Sequence, residues 1–294
     1  MELTEVLAAF EKFDGKYKRD QVSYALEHQE EITSHLTKVL KNILDNPFEY
    51  VTKKDYYAHI YALILLGYFK ETKAHQLIID LFSIPDDFIT ELFGDIATEN
   101  LPIVLFQTCG GSLENIKTLI SNNNAPDTSR ISAVDSMLYA VADEVISREE
   151  VLAFLGSLFT GEEADPSSNF WGLVASDICD LCPDVHTLEI IKKAYDDGLI
   201  FSSIVGYEEF EESMALGVDT CLAQNKQKMK QAIPEDIHDA MSWWACFEEN
   251  EQKMAQLFSS PVITSNINRK KKPKKKVKNK NLRPKKKKKK RRRK

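Results

Sequence analysis

The sequence lacks a long apolar run, a basic leader and an even set of cysteines. Its longest apolar stretch, Ile60 to Phe69, is interrupted by Gly67 and falls well short of the about 20 residues that a membrane-spanning helix needs. Met1 to Glu5 contain two acids and no base, so we expect no secretory signal peptide. Five cysteines are an odd number in a long chain and predict no disulfide framework. We therefore expect a reducing, cytoplasmic compartment.

Acidic residues are absent from the last part of the chain. Of the 39 lysines and arginines, 20 lie between Arg269 and Lys294, where there is no Asp or Glu. Residues 1–268 therefore hold 19 basic and 45 acidic residues, a formal net charge of −26. The composition excludes a collagenous chain and a wholly disordered one. It predicts an acidic globular body followed by a strongly basic segment.

Apolar residues recur every three or four positions along most of the acidic body. Leu36 to Leu44 and Val151 to Phe159 are examples of this helical spacing. Turn signals such as Ile84-Pro85-Asp86 separate helix pairs of roughly 25 to 40 residues, the range of helical-hairpin repeats. We therefore expect an all-α fold, a HEAT-like or armadillo-like α-solenoid. An irregular helical bundle is the alternative.

The periodicity and the charge divide the chain into three parts. Residues 1–255 are predicted to form the helical-repeat domain. Residues 256–268 lose the helical spacing and are predicted to be a linker. Residues 269–294 contain two apolar residues, Val277 and Leu282, and their like charges repel one another. We predict that this basic tail is disordered when free.

The basic tail predicts binding to a polyanion, because dense positive charge displaces the counterions of nucleic acids. The tail has no aromatic residue on which bases could stack. We therefore expect binding to DNA or RNA that is independent of sequence and sensitive to salt. A nuclear-localisation-like address, a solvated tail without a ligand, and a tail folded back on the acidic body are the alternatives. The predicted binding residues are Arg269, Lys270, Lys271, Lys272, Lys274, Lys275, Lys276, Lys285, Lys286, Lys287, Lys288, Lys289, Lys290, Arg291, Arg292, Arg293 and Lys294.

Five strings give the sequence a resemblance to a known family. They are Asp55 to Leu63, Leu77 to Pro85, Gly94 to Leu101, Cys109 to Gly111 and Met241 to Phe247. The chain resembles a bacterial family of unknown function, HEAT-like helical-repeat proteins that often carry a C-terminal SEC-C zinc motif. The resemblance implies an all-α repeat fold and no assigned activity. The zinc motif is absent here, because no cysteine follows the last string, and the basic tail occupies its place.

Asp55 and His59 are four residues apart and are predicted to share one helix face. A carboxylate can orient a histidine as a base or a metal ligand. With Glu99 and Cys109, these residues are candidates for an uncharted enzyme or metal site, which is the alternative function. The structural interpretation has His59 bonded to Asp55 or to a neighbouring helix, with Cys109 packed where Gly110 ends a helix.

Cys179, Cys182 and His186 are candidate metal ligands, with Cys221 or His238 as the fourth ligand if the fold brings one of them close. The two neighbouring cysteines also suit buried positions at the end of an apolar helix. The sequence has no P-loop, dinucleotide-binding or zincin motif. It indicates no cofactor.

Trp243, Trp244 and Phe247 form an aromatic cluster that is predicted to bind a partner or to cap the apolar core. The whole pattern favours a non-enzymatic interaction or scaffold protein. In this interpretation a curved helical surface binds a protein partner of unknown identity, and the basic tail binds nucleic acid.

Overall fold

A computed structural model of the chain describes residues 1–163, 165–244 and 246–247, without the side chain of Asp86. The described residues form 17 α-helices and one short 3-10 helix, Thr72–Ala74. Their only β-type pairing is an isolated bridge between Lys12 and Tyr56. The prediction of an all-α fold is confirmed. The helices are α1 (Leu3–Glu11), α2 (Arg19–Glu27), α3 (Gln29–Asp45), α4 (Pro47–Val51), α5 (Ala58–Tyr68), α6 (His75–Leu81), α7 (Asp86–Phe93), α8 (Ile96–Glu99), α9 (Leu101–Thr108), α10 (Glu114–Ser121), α11 (Asp127–Ala142), α12 (Arg148–Ser157), α13 (Phe170–Asp180), α14 (Val185–Asp196), α15 (Tyr207–Leu216), α16 (Val218–Ala232) and α17 (Ile237–Ser242).

Local sequence signals explain where several helices begin and end. Ser147 Oγ accepts a hydrogen bond from the Glu150 amide at 3.2 Å, and the Glu150 carboxylate accepts one from the Ser147 amide at 3.2 Å. This reciprocal capping box satisfies two amides that the first turn of α12 would leave unpaired. Gly110 follows α9 with a φ of 61°, a left-handed conformation that favours glycine.

Eight of the 17 described α-helices form two series of successive contacts, which we call rows. Along the first row, α5, α9, α11, α13 and α15 contact one another in succession. Along the second, α3 contacts α6 and α6 contacts α10, while α3, α6 and α10 also touch α5, α9 and α11 of the first row. The approach of α5 to α9 is close, since a Cβ at Gly67 would lie 2.8 Å from a methyl carbon of Val104. The apolar core includes buried residues from both rows and from other helices, such as α1 and α12.

The end of the described chain returns to its beginning. We call residues 233–247, except the undescribed residue 245, the C-terminal segment. Its helix α17 contacts α2, and the helix before it, α16, packs on α11 and α13. His238 Nδ1 lies 2.8 Å from Tyr17 Oη, and His238 Nε2 lies 3.2 Å from Ser23 Oγ. These contacts join residues more than two hundred positions apart and hold the C-terminal segment against the beginning of the chain.

The described residues all fall within one compact unit. Residues 254–294 lie outside the described residues, so the predicted linker and basic tail remain predictions. Within the described ranges, no helix combines the length and the apolar character that crossing a bilayer requires.

Candidate binding cavity

A cavity of about 410 Å³ lies between α5, α7, α8 and the C-terminal segment. Residues from three of the five strings that carry the family resemblance meet at its walls, although those strings are far apart in sequence. The aromatic and aliphatic walls come from Tyr57, Ile60, Leu92, Phe93, Ile96, Trp243 and Trp244. The polar part of the lining comes from Thr90, Glu91, Gly94, Asp95, Glu99 and Cys246.

The aromatic residues of the C-terminal segment divide into two kinds. Trp244 is 8% exposed and Phe247 is 2% exposed, with nearly parallel rings whose centroids are 6.2 Å apart. Both therefore belong to the core. Trp243 is 63% exposed although it lines the cavity. Trp243 therefore presents a large apolar surface to water at the edge of the cavity.

Tyr57 connects the cavity to the C-terminal segment. Its hydroxyl lies 3.4 Å from Cys246 Sγ. Burial, reinforced by the bond to Cys246, raises the pKa of Tyr57 above its ordinary value. The phenol therefore stays neutral and keeps its proton as a hydrogen-bond donor.

His59 lies just behind the cavity wall. It is 4% exposed, and its Nε2 lies 2.6 Å from the carbonyl oxygen of Leu92. A carbonyl oxygen only accepts, so Nε2 carries the proton and Nδ1 is unprotonated. The buried Nδ1 has no hydrogen-bond partner among the described residues. Burial lowers the pKa of His59 to about 4, an effect that the Leu92 bond partly opposes. His59 is therefore neutral near pH 7.

The prediction that Asp55 and His59 share a helix face is wrong. Helix α5 begins at Ala58, and Asp55 lies exposed in the preceding turn. The reason is a backbone pairing with the end of α1 that holds this stretch extended. The Phe13 amide donates to the Asp55 carbonyl at 2.8 Å, and the Tyr57 amide donates to the Glu11 carbonyl at 3.0 Å.

The remaining catalytic candidates also lie apart. Glu99 is exposed at the end of α8 and lines the cavity. Cys109 follows α9, where its thiol donates to the carbonyl of Phe106 at 3.1 Å. Burial raises the pKa of Cys109, which disfavours the reactive thiolate. Of the four residues proposed from the sequence, only Glu99 is part of the cavity lining.

Three of the candidate metal ligands, Cys179, Cys182 and Cys221, lie close together. Ser213 Oγ donates to the carbonyl of Cys179 at 2.6 Å and lies 3.5 Å from Cys221 Sγ. Cys221 and Ser213 both influence the pKa of the Cys182 thiol, so three cysteines gather around one serine. His186 is exposed on α14. In the described ranges, no group of three or more histidines, cysteines and acids has the geometry to hold a metal ion.

Sequence reasoning missed a carboxyl pair between α11 and α13. The side chains of Asp135 and Asp177 hydrogen-bond to each other. Burial raises the pKa of Asp135 to about 6 and that of Asp177 well above its ordinary value, while the positive charge of Lys228 on α16 opposes both shifts. Lys228 Nζ itself lies 2.5 Å from the carboxylate of Asp180. The sequence feature that could have indicated this pair is Asp135, an acidic residue beside the apolar residues of α11.

The predicted polyanion-binding residues from Arg269 to Lys294 lie outside the described residues. The structure therefore bears on the body alone.

Comparison with known proteins gives a family and two bacterial relatives. The model of a family described as "Protein of unknown function (DUF1186)" matches residues 1–248. An uncharacterised protein of Chlamydia trachomatis serovar D is 29% identical over 225 residues, which are 76% of this chain and 89% of the relative. An uncharacterised protein of Chlamydia muridarum is 28% identical over 244 residues, which are 83% of this chain and 97% of the relative. No solved structure gives a significant match.

Proposed function

We propose that this chain, which belongs to the DUF1186 family of proteins of unknown function, is a non-enzymatic interaction protein. Its helical body, residues 1–247, binds a protein partner, and its basic tail binds nucleic acid or another polyanion. The resemblance seen in the five strings agrees with this family assignment. The observation that carries the proposal is the exposure of Trp243 at a cavity whose other aromatic walls are more deeply buried.

The arrangement of the helices supports a repeat-like body. Each helix of the first row touches the next, and helices of the second row bridge to it. Such successive packing is what a HEAT-like stack of hairpins requires, because each hairpin covers the apolar face of its neighbour. We propose this architecture, with the C-terminal segment lying across the first row as an addition to the stack.

The cavity supports binding to a protein partner. Tryptophan is enriched among the residues that dominate binding energy at protein interfaces, and it acts best beside a preformed pocket. Trp243 is exposed and lines such a pocket. The buried Trp244 and Phe247 hold the adjacent backbone in place. We propose that the partner covers Trp243 and fills the cavity.

The sequence supports binding of polyanions by the basic tail. Its 20 basic residues and lack of acids provide charge without the aromatic platform that reads bases. We propose binding that does not depend on base sequence. We also propose a cytoplasmic location, which the odd number of cysteines supports.

The polyanion part of the proposal is tested by fluorescence anisotropy with labelled single-stranded RNA and duplex DNA over a salt series. Three proteins are compared: the full chain, a chain ending at Asn268, and a full chain in which Lys285 to Lys290 are replaced by glutamine. We expect the full chain to lose affinity with a log–log slope of about −0.7 to −0.9 per contacted phosphate. The glutamine variant should bind more weakly and with a shallower slope. Equal binding by the full chain and the shortened chain would remove the tail from the function.

The partner part is tested by crosslinking in native cells through a photoreactive amino acid at position 243, with and without nuclease treatment. A matched control carries the photoreactive residue at Phe48, which is exposed on α4. We expect a discrete protein adduct from position 243 that survives nuclease and is absent from the control. The same adducts at both positions would contradict a partner site at the cavity.

A further inference from the structure

The cavity lining combines carboxylates with aromatic side chains. Glu91, Asp95 and Glu99 supply three carboxylates from α7, α8 and the turn between them. All three side chains are exposed. Among the described residues that line the cavity there is no lysine, arginine or histidine. Its electrostatic field therefore favours a positively charged occupant.

The aromatic walls favour the same sign of charge. A ring face carries partial negative charge and attracts a cation placed within about 6 Å of its centre, with tryptophan the strongest of the three aromatic residues. Trp243, Trp244 and Tyr57 all line the cavity. The elevated pKa of Tyr57 leaves its hydroxyl neutral, so it adds no charge of its own.

A planar cation suits this combination of aromatic rings and carboxylates better than a compact ammonium group does. A guanidinium group stacks flat on an aromatic ring and offers paired N–H donors to a carboxylate at its edge. A cavity of about 410 Å³ has ample space for one such side chain together with the water that an exposed rim retains.

We propose that this cavity binds an arginine side chain of a basic segment in the partner polypeptide. The proposal rests on the proposed function, since it names the chemistry by which the partner is recognised. The guanidinium lies against the exposed face of Trp243, and the carboxylates of Asp95 and Glu99 accept its hydrogen bonds. The body and the basic tail then recognise opposite charges, so one chain joins a cationic partner to a polyanion.

The test uses the full chain and two short peptides. One peptide is acetyl-Gly-Arg-Gly-amide. In the other, citrulline replaces arginine, which keeps the shape and removes the charge. Binding is followed through the indole N–H signals in two-dimensional NMR, and the Trp243 signal is assigned with Trp243→Phe. We expect the arginine peptide to shift the Trp243 and Trp244 signals in a saturable way. The citrulline peptide should bind about 10-fold more weakly or not at all.

Variants then identify the contacts. Asp95→Asn combined with Glu99→Gln should weaken binding of the arginine peptide about 5- to 10-fold. Trp243→Ala should weaken it about 3- to 5-fold, followed through the Trp244 signal. The matched control is Glu211→Gln with Glu212→Gln, which removes two exposed charges from α15 outside the cavity and should leave binding unchanged.

Three results would overturn the proposal. They are equal binding of both peptides, an unchanged affinity in the Asp95 and Glu99 variant, and an equal loss in the α15 control, which would indicate general attraction to an acidic surface. None of these results alters the salt-dependent binding of polyanions or the crosslink at position 243. Failure of the arginine site is therefore distinguishable from failure of the proposed function.

Discussion

His59 and the Asp135–Asp177 pair are ionisable groups that helix packing shields from water, His59 almost fully and the two aspartates in part, yet they respond to pH in opposite directions. His59 sits between α5 and α7 with a pKa lowered to about 4, chiefly by burial. Asp135 sits between α11 and α13 with a pKa raised to about 6, again chiefly by burial. The same physical cause favours the neutral form of each group. For a base that form has lost a proton, and for an acid it has kept one.

The consequence for stability follows from proton binding. Folded His59 binds a proton more weakly than the unfolded chain does, so its contribution to stability is present above pH 6.5 and is lost as the pH falls towards 4. The folded aspartate pair binds a proton more strongly than the unfolded chain does. Its contribution is therefore present at low pH and is lost as the pH rises through about 6. In mildly acidic solution, a change of pH that stabilises the protein through one of these regions destabilises it through the other. Substitutions in each region separate the two contributions.

The largest effect is expected from Asp177→Asn, which removes one charge from the pair and keeps a hydrogen-bond donor. At pH 8 the native pair carries charge that the interface disfavours, so the variant should be more stable than the wild type by about 1 to 3 kcal/mol. The difference should shrink as the pH falls towards 4, where the wild-type pair is protonated. Urea unfolding, followed by circular dichroism at a series of pH values, measures the stability difference between the variant and the wild type at pH 8 and its decrease towards pH 4.

The control for that experiment is Asp143→Asn, which removes an exposed carboxylate at the end of α11, the helix that carries Asp135. Its effect should be small and nearly independent of pH in this range. A loss of stability in Asp177→Asn at pH 8 would mean that the carboxylate makes a favourable interaction, and the comparison with His59 would fail.

His59→Gln should produce the next largest effect, with the opposite slope. The glutamine amide nitrogen can reach the Leu92 carbonyl as Nε2 does, but it does not titrate in this range. Between pH 7 and pH 5 the wild type should lose about 1 to 2 kcal/mol more stability than the variant, because unfolding allows His59 to take up a proton. Urea unfolding at the two pH values gives the difference. His28→Gln, an exposed histidine outside the core, is the control. Parallel pH profiles for the wild type and His59→Gln would contradict the neutral buried histidine.

Local features of this fold were predictable from the sequence, because they depend on neighbouring residues. The helical spacing gave the fold class, and the capping box of Ser147 and Glu150 lies at the start of α12. Gly110 ends its helix in the left-handed conformation. The Asp55–His59 prediction failed because a backbone pairing with the end of α1, more than forty residues earlier, keeps the residues before Ala58 out of the helix. Spacing within a helix carries no information about such a contact.

The cavity was beyond sequence reasoning for the same reason. Glu99 and Trp243 were each singled out, but nothing in their spacing shows that the C-terminal segment returns to α5 and α8. The contact of His238 with Tyr17 that anchors this return joins residues 221 positions apart. The Asp135–Asp177 pair likewise needs the packing of α11 on α13. Asp95 lies in one of the five strings but was not singled out, because an exposed acid in a turn is ordinary until a cavity is found beside it.

Lys228→Gln should have the smallest effect on stability. It changes the charge near the Asp135–Asp177 pair and leaves His59 unchanged, so it tests one side of the comparison alone. Lys228 pairs with Asp180 and lowers the pKa of both Asp135 and Asp177 through its positive charge. Its removal should raise the pKa of Asp135, measured from carboxyl ¹³C chemical shifts, and change stability by less than about 1 kcal/mol, since the ion pair is exposed. Lys226→Gln, on the same helix but paired with Glu144 at 3.8 Å, should leave that pKa unchanged. Equal shifts from both variants would assign the effect to the net charge of α16, whereas a shift from Lys228→Gln alone shows that this one cation limits how strongly the pair holds its proton.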